Sequence, residues 1–327
     1  MTVDKNGDGL SRCGCVPSCQ PPPQPTDGSG VIDIRIVSTP PDGVTCAPTY
    51  AYCCYVTPAT TTPPPPTCGT RTPMRLANIQ LKPGQSMFGE FPWSAIVLGR
   101  NNEYIGGGVL VGSFHVLTAA HKIASSLNCP YLKVRLGEWD THRNIEPYSY
   151  KEYGFSRVRI HPQYNSKNLQ NDIALITLTN GVPLGTYPNI VPACMTGQNA
   201  AFTGQRCYVS GWGKDSFGSN GQYQYIEKKA NVPVLSYSDC QAKLQTTRLG
   251  AQFKLDPSSF ICAGGEPGYD ACTGDGGAPL VCEVNGQFYL AGLVAWGIGC
   301  AGKGVPGVYV NVPNYRNWIN QQIASEK

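Results

Sequence analysis

The sequence has no apolar run long enough to span a membrane and no run of Lys or Arg residues. A membrane-spanning helix needs about 20 consecutive apolar residues, so no such helix is expected. Charged residues make up only 14% of the chain, and the formal net charge is +4. Neither nucleic acid nor an anionic membrane is therefore expected as a partner.

The N-terminus, MTVDKNGDGL, lacks the apolar core of a secretory signal, whereas the chain contains fifteen cysteines. A reducing cytosol would leave most of these cysteines as free thiols. We therefore expect a secreted, extracellular protein whose signal peptide has been removed. The 41% share of hydrophobic residues is typical of a folded globular protein.

Cysteines and prolines divide the chain into three segments. A small module at residues 1–55 has few long apolar side chains, so disulfides would have to take the place of a core. Residues 56–79 form a Pro/Thr-rich linker that carries Cys68, and residues 80–327 form a large domain. The cysteines of the module are Cys13, Cys15, Cys19, Cys46, Cys53 and Cys54.

The large domain consists of short Val/Ile/Leu runs separated by Gly, Pro and Asn, such as HVLTAAH and RCYVSGWG. This pattern predicts an all-β barrel or sandwich. The only convincing helical period is in the C-terminal YRNWINQQIASEK, where Tyr315, Trp318, Ile319 and Ile323 share one face.

Three segments of the large domain resemble active-site motifs of the chymotrypsin/trypsin family of serine proteases and occur in that family's order. They are LTAAH (117–121), NDIALI (171–176) and TGDGGAPL (273–280). With the segments around them, the resemblance covers roughly Phe88 to Trp318. It implies a trypsin-like fold of two packed six-stranded antiparallel barrels, with the site in the cleft between them and a C-terminal helix.

The resemblance assigns His121 the role of general base and Asp172 the role of the carboxylate that orients it. Gly276 stands at the place of the attacking serine, and a glycine has no side-chain oxygen that could form an acyl-enzyme. We therefore expect that the protein is not an enzyme. The remaining pair either stabilises the cleft or activates a water for slow hydrolysis, and loss of the nucleophile costs on the order of 10⁶ in turnover.

Active members of the family resemble R-[IV]VGG some thirteen residues before the tryptophan of FPW, whereas this chain has NIQLKPG at residues 78–84. In those members, a cut there frees an N-terminus that pairs with the aspartate at Asp275. Without that ammonium, Asp275 is expected to lack its usual partner, so the oxyanion donors at Gly274 and Gly276 need not form. Ala278 replaces a family glycine and is expected to crowd a tight turn.

The specificity pocket retains the residues of trypsin-like members. Asp270 lies where those proteases have the acidic floor that pairs with Arg or Lys, and Gly297 and Gly307 match the small residues at the entrance. Two interpretations remain open: the pocket binds a basic side chain without cutting, or it has collapsed and these residues are inherited.

The resemblance also implies the disulfides of the large domain. Gly106 and Lys122 occupy the places of the family's cystine beside the histidine, so that cystine is absent at both ends. Cys129 has no family partner and is either free or used between molecules. The implied pairs are Cys68–Cys194, Cys207–Cys282, Cys240–Cys262 and Cys272–Cys300.

LGEWDTHRNIEP (136–147) resembles the family's calcium loop. Calcium takes several clustered oxygen ligands. Glu138, Asp140 and Glu146, with backbone carbonyls, are the candidate ligands. The alternative is an ordinary acidic surface loop.

The cysteines of the small module, with CGCVPSC and TDGSGVIDIRI, resemble the clip domains of arthropod serine protease homologues. That resemblance implies the pairs Cys13–Cys53, Cys15–Cys46 and Cys19–Cys54. VIDIRI (31–36) alternates apolar and charged residues, which predicts a strand. The module is expected to present a shallow groove to another protein; alternatively, it only tethers the large domain.

A clip module joined to a serine-less protease domain resembles the prophenoloxidase-activating factors of the masquerade-like type. This resemblance implies a non-catalytic cofactor of haemolymph melanisation, with prophenoloxidase or phenoloxidase and an activating clip-domain protease as partners, acting alone or as a homo-oligomer. The alternatives are a decoy or inhibitor that binds Arg/Lys peptides, and an adhesive extracellular scaffold.

Overall fold

A computed structural model of the chain describes residues 10–17, 34–37, 45–48, 50–56, 68–77, 79–127, 131–214, 221–266, 274–299 and 304–326, with the strands before residue 57 described by their backbone. The chain divides into two units, residues 1–65 and 66–327. No helix among the described residues has the length and apolar character needed to cross a membrane.

The first unit contains a three-stranded antiparallel sheet in the order β1-β3-β2. In this sheet Cys13 lies opposite Cys54, and Ile36 lies opposite Cys54 on the other side of β3. Cys46 is disulfide-bonded; the predicted pairings of the other clip cysteines fall outside the described side chains. The strands are β1 (Leu10–Pro17), β2 (Ile34–Val37) and β3 (Tyr50–Val56).

In the second unit, the first six strands form a closed antiparallel barrel in the order β4-β5-β6-β9-β8-β7, and β7 pairs back with β4. Strands with apolar side chains on both faces, such as SAIVL and ALITL, are buried throughout because one face fills the barrel and the other packs outward. The strands are β4 (Ser94–Leu98), β5 (Tyr104–Gly112), β6 (His115–Thr118), β7 (Lys133–Leu136), β8 (Lys151–Ile160) and β9 (Ala174–Leu178).

The remaining strands form a sheet in the order β12-β11-β14-β15-β16-β13, with β10 added beside β15. A bridge between Val234 and Ala263, next to β12 and within β13, brings its two ends together. The predicted all-β, double-barrel trypsin-like fold is thus confirmed. The strands are β10 (Cys194–Met195), β11 (Arg206–Gly211), β12 (Lys228–Pro233), β13 (Phe260–Gly264), β14 (Pro279–Val284), β15 (Gln287–Trp296) and β16 (Pro306–Asn311).

Three α-helices are described: α1 (Ala120–Ile123), α2 (Tyr237–Gln245) and α3 (Arg316–Ala324). Helix α3 agrees with the predicted C-terminal helix, and its Ile319 is buried. Helix α2 was not predicted, because only Cys240 and Leu244 face the core. Its N-terminus is capped by the Ser236 side chain, which accepts a hydrogen bond from Asp239 N.

Disulfides connect the parts of the second unit. The structure contains Cys68–Cys194, Cys207–Cys282 and Cys240–Cys262, the pairs that the resemblance implies. The implied Cys272–Cys300 pair and Cys129, for which the resemblance gives no partner, lie outside the described residues.

Residues 68–77, placed in the linker from the sequence, belong to the barrel unit. Gly69 N donates to Pro192 O at 2.7 Å, and Phe288 N donates to Gly69 O at 2.9 Å. A Cβ at Gly69 would lie 2.6 Å from Phe288 N, and its φ is +69°, so glycine is required for this close approach. The sequence-based boundary at residue 80 therefore lies after the point where the chain joins the barrels.

Candidate functional site

His121 and Asp172 form a hydrogen-bonded pair at the cleft. His121 lies in α1, directly after β6, and Asp172 lies just before β9, the neighbour of β6 in the barrel. Asp172 is fully buried, its Oδ2 lies 2.6 Å from His121 Nδ1, and its Oδ1 accepts a hydrogen bond from His121 N at 2.7 Å. Burial raises the pKa of Asp172, and the hydrogen bonds from His121 partly offset this rise. The pair fixes the imidazole ring with Nε2 towards Gly276.

Gly276 leaves no room for a side chain where the nucleophile would be. A Cβ built on this residue would lie 2.8 Å from His121 Nε2 and 2.9 Å from Lys122 Cδ. Real Cβ atoms do not approach other heavy atoms this closely, so a serine here would require both His121 and the Lys122 chain to shift. The lysine side chain thus takes up space that the nucleophile would need.

Lys122 also covers the place of the missing cystine. A Cβ at Gly106, the other end of that cystine, would lie 2.5 Å from Lys122 Cε. Burial lowers the pKa of Lys122, whereas the charges of Asp275 and Asp172 raise it in part. Gly106 and Lys122 thus occupy the two places of the family's cystine. The Lys122 side chain lies against both Gly106 and Gly276, beside His121.

Asp275 has a cation, contrary to the expectation that it would lack a partner. Lys228 Nζ lies 2.8 Å from Asp275 Oδ2, and the aspartate side chain is only 1% exposed. Its other oxygen, Oδ1, accepts a hydrogen bond from Gly213 N at 2.7 Å. Sequence reasoning considered only a freed N-terminus as the source of the cation and so missed this lysine.

The alanine at position 278 does not crowd its turn as expected. A Cβ at Gly107 would lie 2.8 Å from Ala278 Cα and Cβ, so the extra methyl group fits against a glycine. Ala278 is buried, and its N–H donates to Asp275 O at 2.8 Å. At the other end of the turn, Tyr104 OH donates to Gly274 O at 3.0 Å.

The predicted specificity pocket is only partly described. Gly297 follows β15 and is exposed, while Gly307 lies in β16 opposite Ala263 and is buried. Asp270, the predicted acidic floor, lies outside the described residues. The two interpretations of this pocket therefore both stand.

The three predicted calcium ligands do not form a cage. Glu138 pairs with Arg135 at 2.9 Å, and Asp140 pairs with Arg143 at 2.7 Å. Glu146 accepts hydrogen bonds from two backbone N–H groups, one of them Asp140 N at 2.9 Å. Within the part of the chain that the structure describes, no group of three or more His, Cys, Asp or Glu side chains is placed to hold a metal ion. Calcium would have to displace both arginines, so these residues as arranged do not fit it.

The remaining oxygens of the same carboxylates are also occupied. Glu138 Oε1 accepts a hydrogen bond from Trp139 N, and Asp140 Oδ1 accepts one from His142 N. Every carboxylate oxygen of the three candidate ligands thus has a donor, from Arg135 of β7 or from within this loop.

Two neighbouring titratable residues, the half-buried Lys228 and the buried Glu227, escaped the sequence analysis. Lys228 lies on the same face of β12 as the buried Ala230 and Val232, because side chains alternate between the two faces of a strand. This alternation could have predicted that Lys228 points inward. Glu227, one residue earlier, is 2% exposed, and its Oε2 accepts a hydrogen bond from Ser86 Oγ at 2.8 Å. Burial raises the pKa of Glu227 to about 8. Nothing in the sequence around Glu227 indicates its burial.

The sequence profile of the trypsin family matches residues 84–319. The chain therefore belongs to the trypsin family, as a clip-domain serine protease homologue. It is 47% identical to the inactive CLIP domain-containing serine protease A3 of Aedes aegypti, over 95% of this chain and 67% of that protein. It is 44% identical to phenoloxidase-activating factor 2 of Galleria mellonella, over 80% of this chain and 93% of that protein.

A third relative is protein masquerade of Drosophila melanogaster, 36% identical over 72% of this chain and 22% of that much longer protein. Several relatives, including two from Anopheles gambiae, are named as inactive proteases. Those names agree with the absence of a serine at Gly276.

Proposed function

We propose that this protein is a secreted, non-catalytic adaptor that supports the proteolytic activation of prophenoloxidase in the melanisation cascade. One observation carries the proposal: the cleft has lost its nucleophile at Gly276, and Lys122 fills the space, while His121 and Asp172 keep their arrangement. A protease-like domain that keeps its fold without the nucleophile is expected to bind other proteins rather than to turn over substrates.

Names of relatives support the choice of pathway. The Galleria relative is a phenoloxidase-activating factor, and this chain covers 93% of it. We infer that the partners are prophenoloxidase or phenoloxidase and an activating clip-domain protease, which meet in haemolymph.

Reconstitution of the cascade tests this function. Purified prophenoloxidase and its activating protease would be incubated with and without the full chain, and phenoloxidase output measured. We expect output to depend on the chain, and His121→Gln to support it equally, because the adaptor performs no chemistry and this change adds no atom at the crowded Gly276. Equal output without the chain would contradict the proposal.

The small module is the proposed contact element. Among the described strands, β2 pairs only with β3, so it is an edge of the sheet and can accept an extended segment of another chain. Arg35 lies on this edge strand, whereas Arg12 lies on β1, the opposite edge.

Two changes examine that role. Deletion of residues 1–55 should abolish cofactor activity and leave the circular dichroism of the separate barrel unit unchanged. Arg35→Glu should lower cofactor activity by about tenfold, with Arg12→Glu as the matched control. Full activity of the truncated chain would mean that the clip only tethers the larger domain.

A further inference from the structure

Asp275 is buried beside the cleft in a position that requires a cation. An isolated charge in a protein interior is strongly unfavourable. The backbone after β11 closes tightly around this carboxylate: a Cβ at Gly213 would lie 2.5 Å from Asp275 Oδ1. A glycine there allows Gly213 N to donate to that oxygen at 2.7 Å.

The cation comes from the chain itself. Lys228 is the first residue of β12, and its ammonium lies 2.8 Å from Asp275 Oδ2 and donates to Lys214 O at 2.8 Å. The charge of Asp275 also raises the pKa of Lys122 through space, but the ammonium of Lys228 is the one within ion-pair distance among the described residues. Lys229, the next residue, pairs instead with Glu90.

The segment that supplies this cation in the resembling proteases lies elsewhere. Gln80, thirteen residues before Trp93, is exposed. Further along, Lys229 N donates to Gly84 O at 2.7 Å, and Gln85 forms a bridge with Lys228. Residues 80–85 thus lie at the surface in the uncut chain, while Asp275 already has its partner.

We propose that Lys228 is a positioning residue that fixes the turn at residues 274–278 in the uncut chain, so that the cleft surface does not depend on cleavage near residue 80. Activation by a freed N-terminus is replaced by a permanent internal ion pair. The cleft face that a partner meets is then the same before and after any cut in this segment, whichever partner it is.

Lys228 acts on the turn through Asp275. The aspartate backbone O accepts a hydrogen bond from Ala278 N at 2.8 Å, and Gly277 N donates to Val294 O at 2.8 Å. Movement of the aspartate side chain would therefore loosen both amides. These two N–H groups are the natural reporters of the proposal, because hydrogen exchange measures local opening.

Hydrogen exchange of the full-length chain, read on peptides that cover residues 274–284, tests the role of the charge. Lys228→Met keeps the aliphatic stem and should speed exchange of the Gly277 and Ala278 amides by about tenfold or more. Lys228→Arg should restore slow exchange, because it returns a cation. Lys229→Met, which breaks the neighbouring ion pair with Glu90, is the matched control and should leave these amides unchanged.

Exchange in Lys228→Met that equals the native rate would overturn the proposal, as would equal effects of the methionine and arginine variants. If Lys228→Met does not fold, the native chain provides the second test. Nicking it after Arg75, an exposed residue, should leave exchange at residues 277 and 278 unchanged. Slower exchange after the nick would show that a new N-terminus, and not Lys228, orders the turn.

Discussion

Asp275 and Gly276 are adjacent in the chain, but they face two different parts of the domain. Gly276 faces the cleft, where the nucleophile and a cystine are gone and Lys122 occupies the space. Asp275 faces the interior behind the cleft, where the carboxylate is bonded to Lys228 and Gly213. The front of the site, around Gly276, has no nucleophile. The back of the site, around Asp275, is held in place by an ion pair and a hydrogen bond.

The difference indicates which property of the site is retained. A binding surface needs a defined backbone and no nucleophile, whereas turnover needs both. The acidic loop at residues 136–147 follows the same pattern as Asp275, because Arg135 and Arg143 occupy its carboxylates. In both places, a side-chain cation stands where the resemblance implies another cation, a freed N-terminus at Asp275 and calcium at the loop.

The largest expected effect concerns the front of the site. Gly276→Ser alone should release barely detectable product from Arg-ended chromogenic peptides, because the new side chain meets both His121 Nε2 and the Lys122 chain. The triple variant Gly106→Cys, Lys122→Cys, Gly276→Ser removes the Lys122 chain from this contact. Since a misplacement of about 1 Å costs on the order of 10²-fold in rate, the triple variant should exceed the single one by about that factor. Trypsin-like turnover by Gly276→Ser alone would contradict the role assigned to Lys122.

The second prediction compares the two aspartates by stability. Asp275→Asn leaves Lys228 mostly buried without its counter-ion, and breaking such a pair costs about 3–5 kcal/mol. Asp172→Asn replaces a carboxylate by an amide of the same shape beside the partly exposed His121, so about 1 kcal/mol is expected. Urea denaturation of both variants measures the difference. A larger loss of stability in Asp172→Asn than in Asp275→Asn would contradict the prediction that the ion pair at the back contributes more to folding.

Glu227, next to Lys228, makes the region behind the cleft sensitive to pH. Its folded-state pKa of about 8 exceeds the usual value of 4.5, so the folded protein keeps a proton that the unfolded chain loses between these values. The stabilisation is complete below about pH 4.5 and is lost as pH rises towards 8. Glu227→Gln should remove this dependence, and its melting temperature should gain several degrees relative to the native protein between pH 5 and pH 8.5. Parallel melting curves for the two proteins across this range would refute the assignment.

The smallest effect is expected at the acidic loop. Because the carboxylates of Glu138 and Asp140 already have arginine partners, a calcium chelator should leave the melting temperature unchanged. The double variant Arg135→Gln, Arg143→Gln should become sensitive to the chelator. A drop in melting temperature of the native protein on chelation would instead support the calcium loop that the resemblance implies.

The sequence by itself determined the fold class, the C-terminal helix and the loss of the nucleophile at Gly276. Strand alternation and ordered motifs are local patterns that the chain displays without folding, and a missing oxygen is a matter of composition. The disulfides Cys68–Cys194, Cys207–Cys282 and Cys240–Cys262 also followed from the resemblance, because cysteines at matching places have matching partners.

Tertiary structure decided which charges meet. Lys228 and Asp275 are far apart in the chain, and only the closing of the second barrel brings their side chains to 2.8 Å. The position of Lys122 in the cleft depends on two glycines, Gly106 and Gly276, that come from different barrels. Coulomb energy and steric exclusion depend on distances in space, which residue spacing along the chain does not contain.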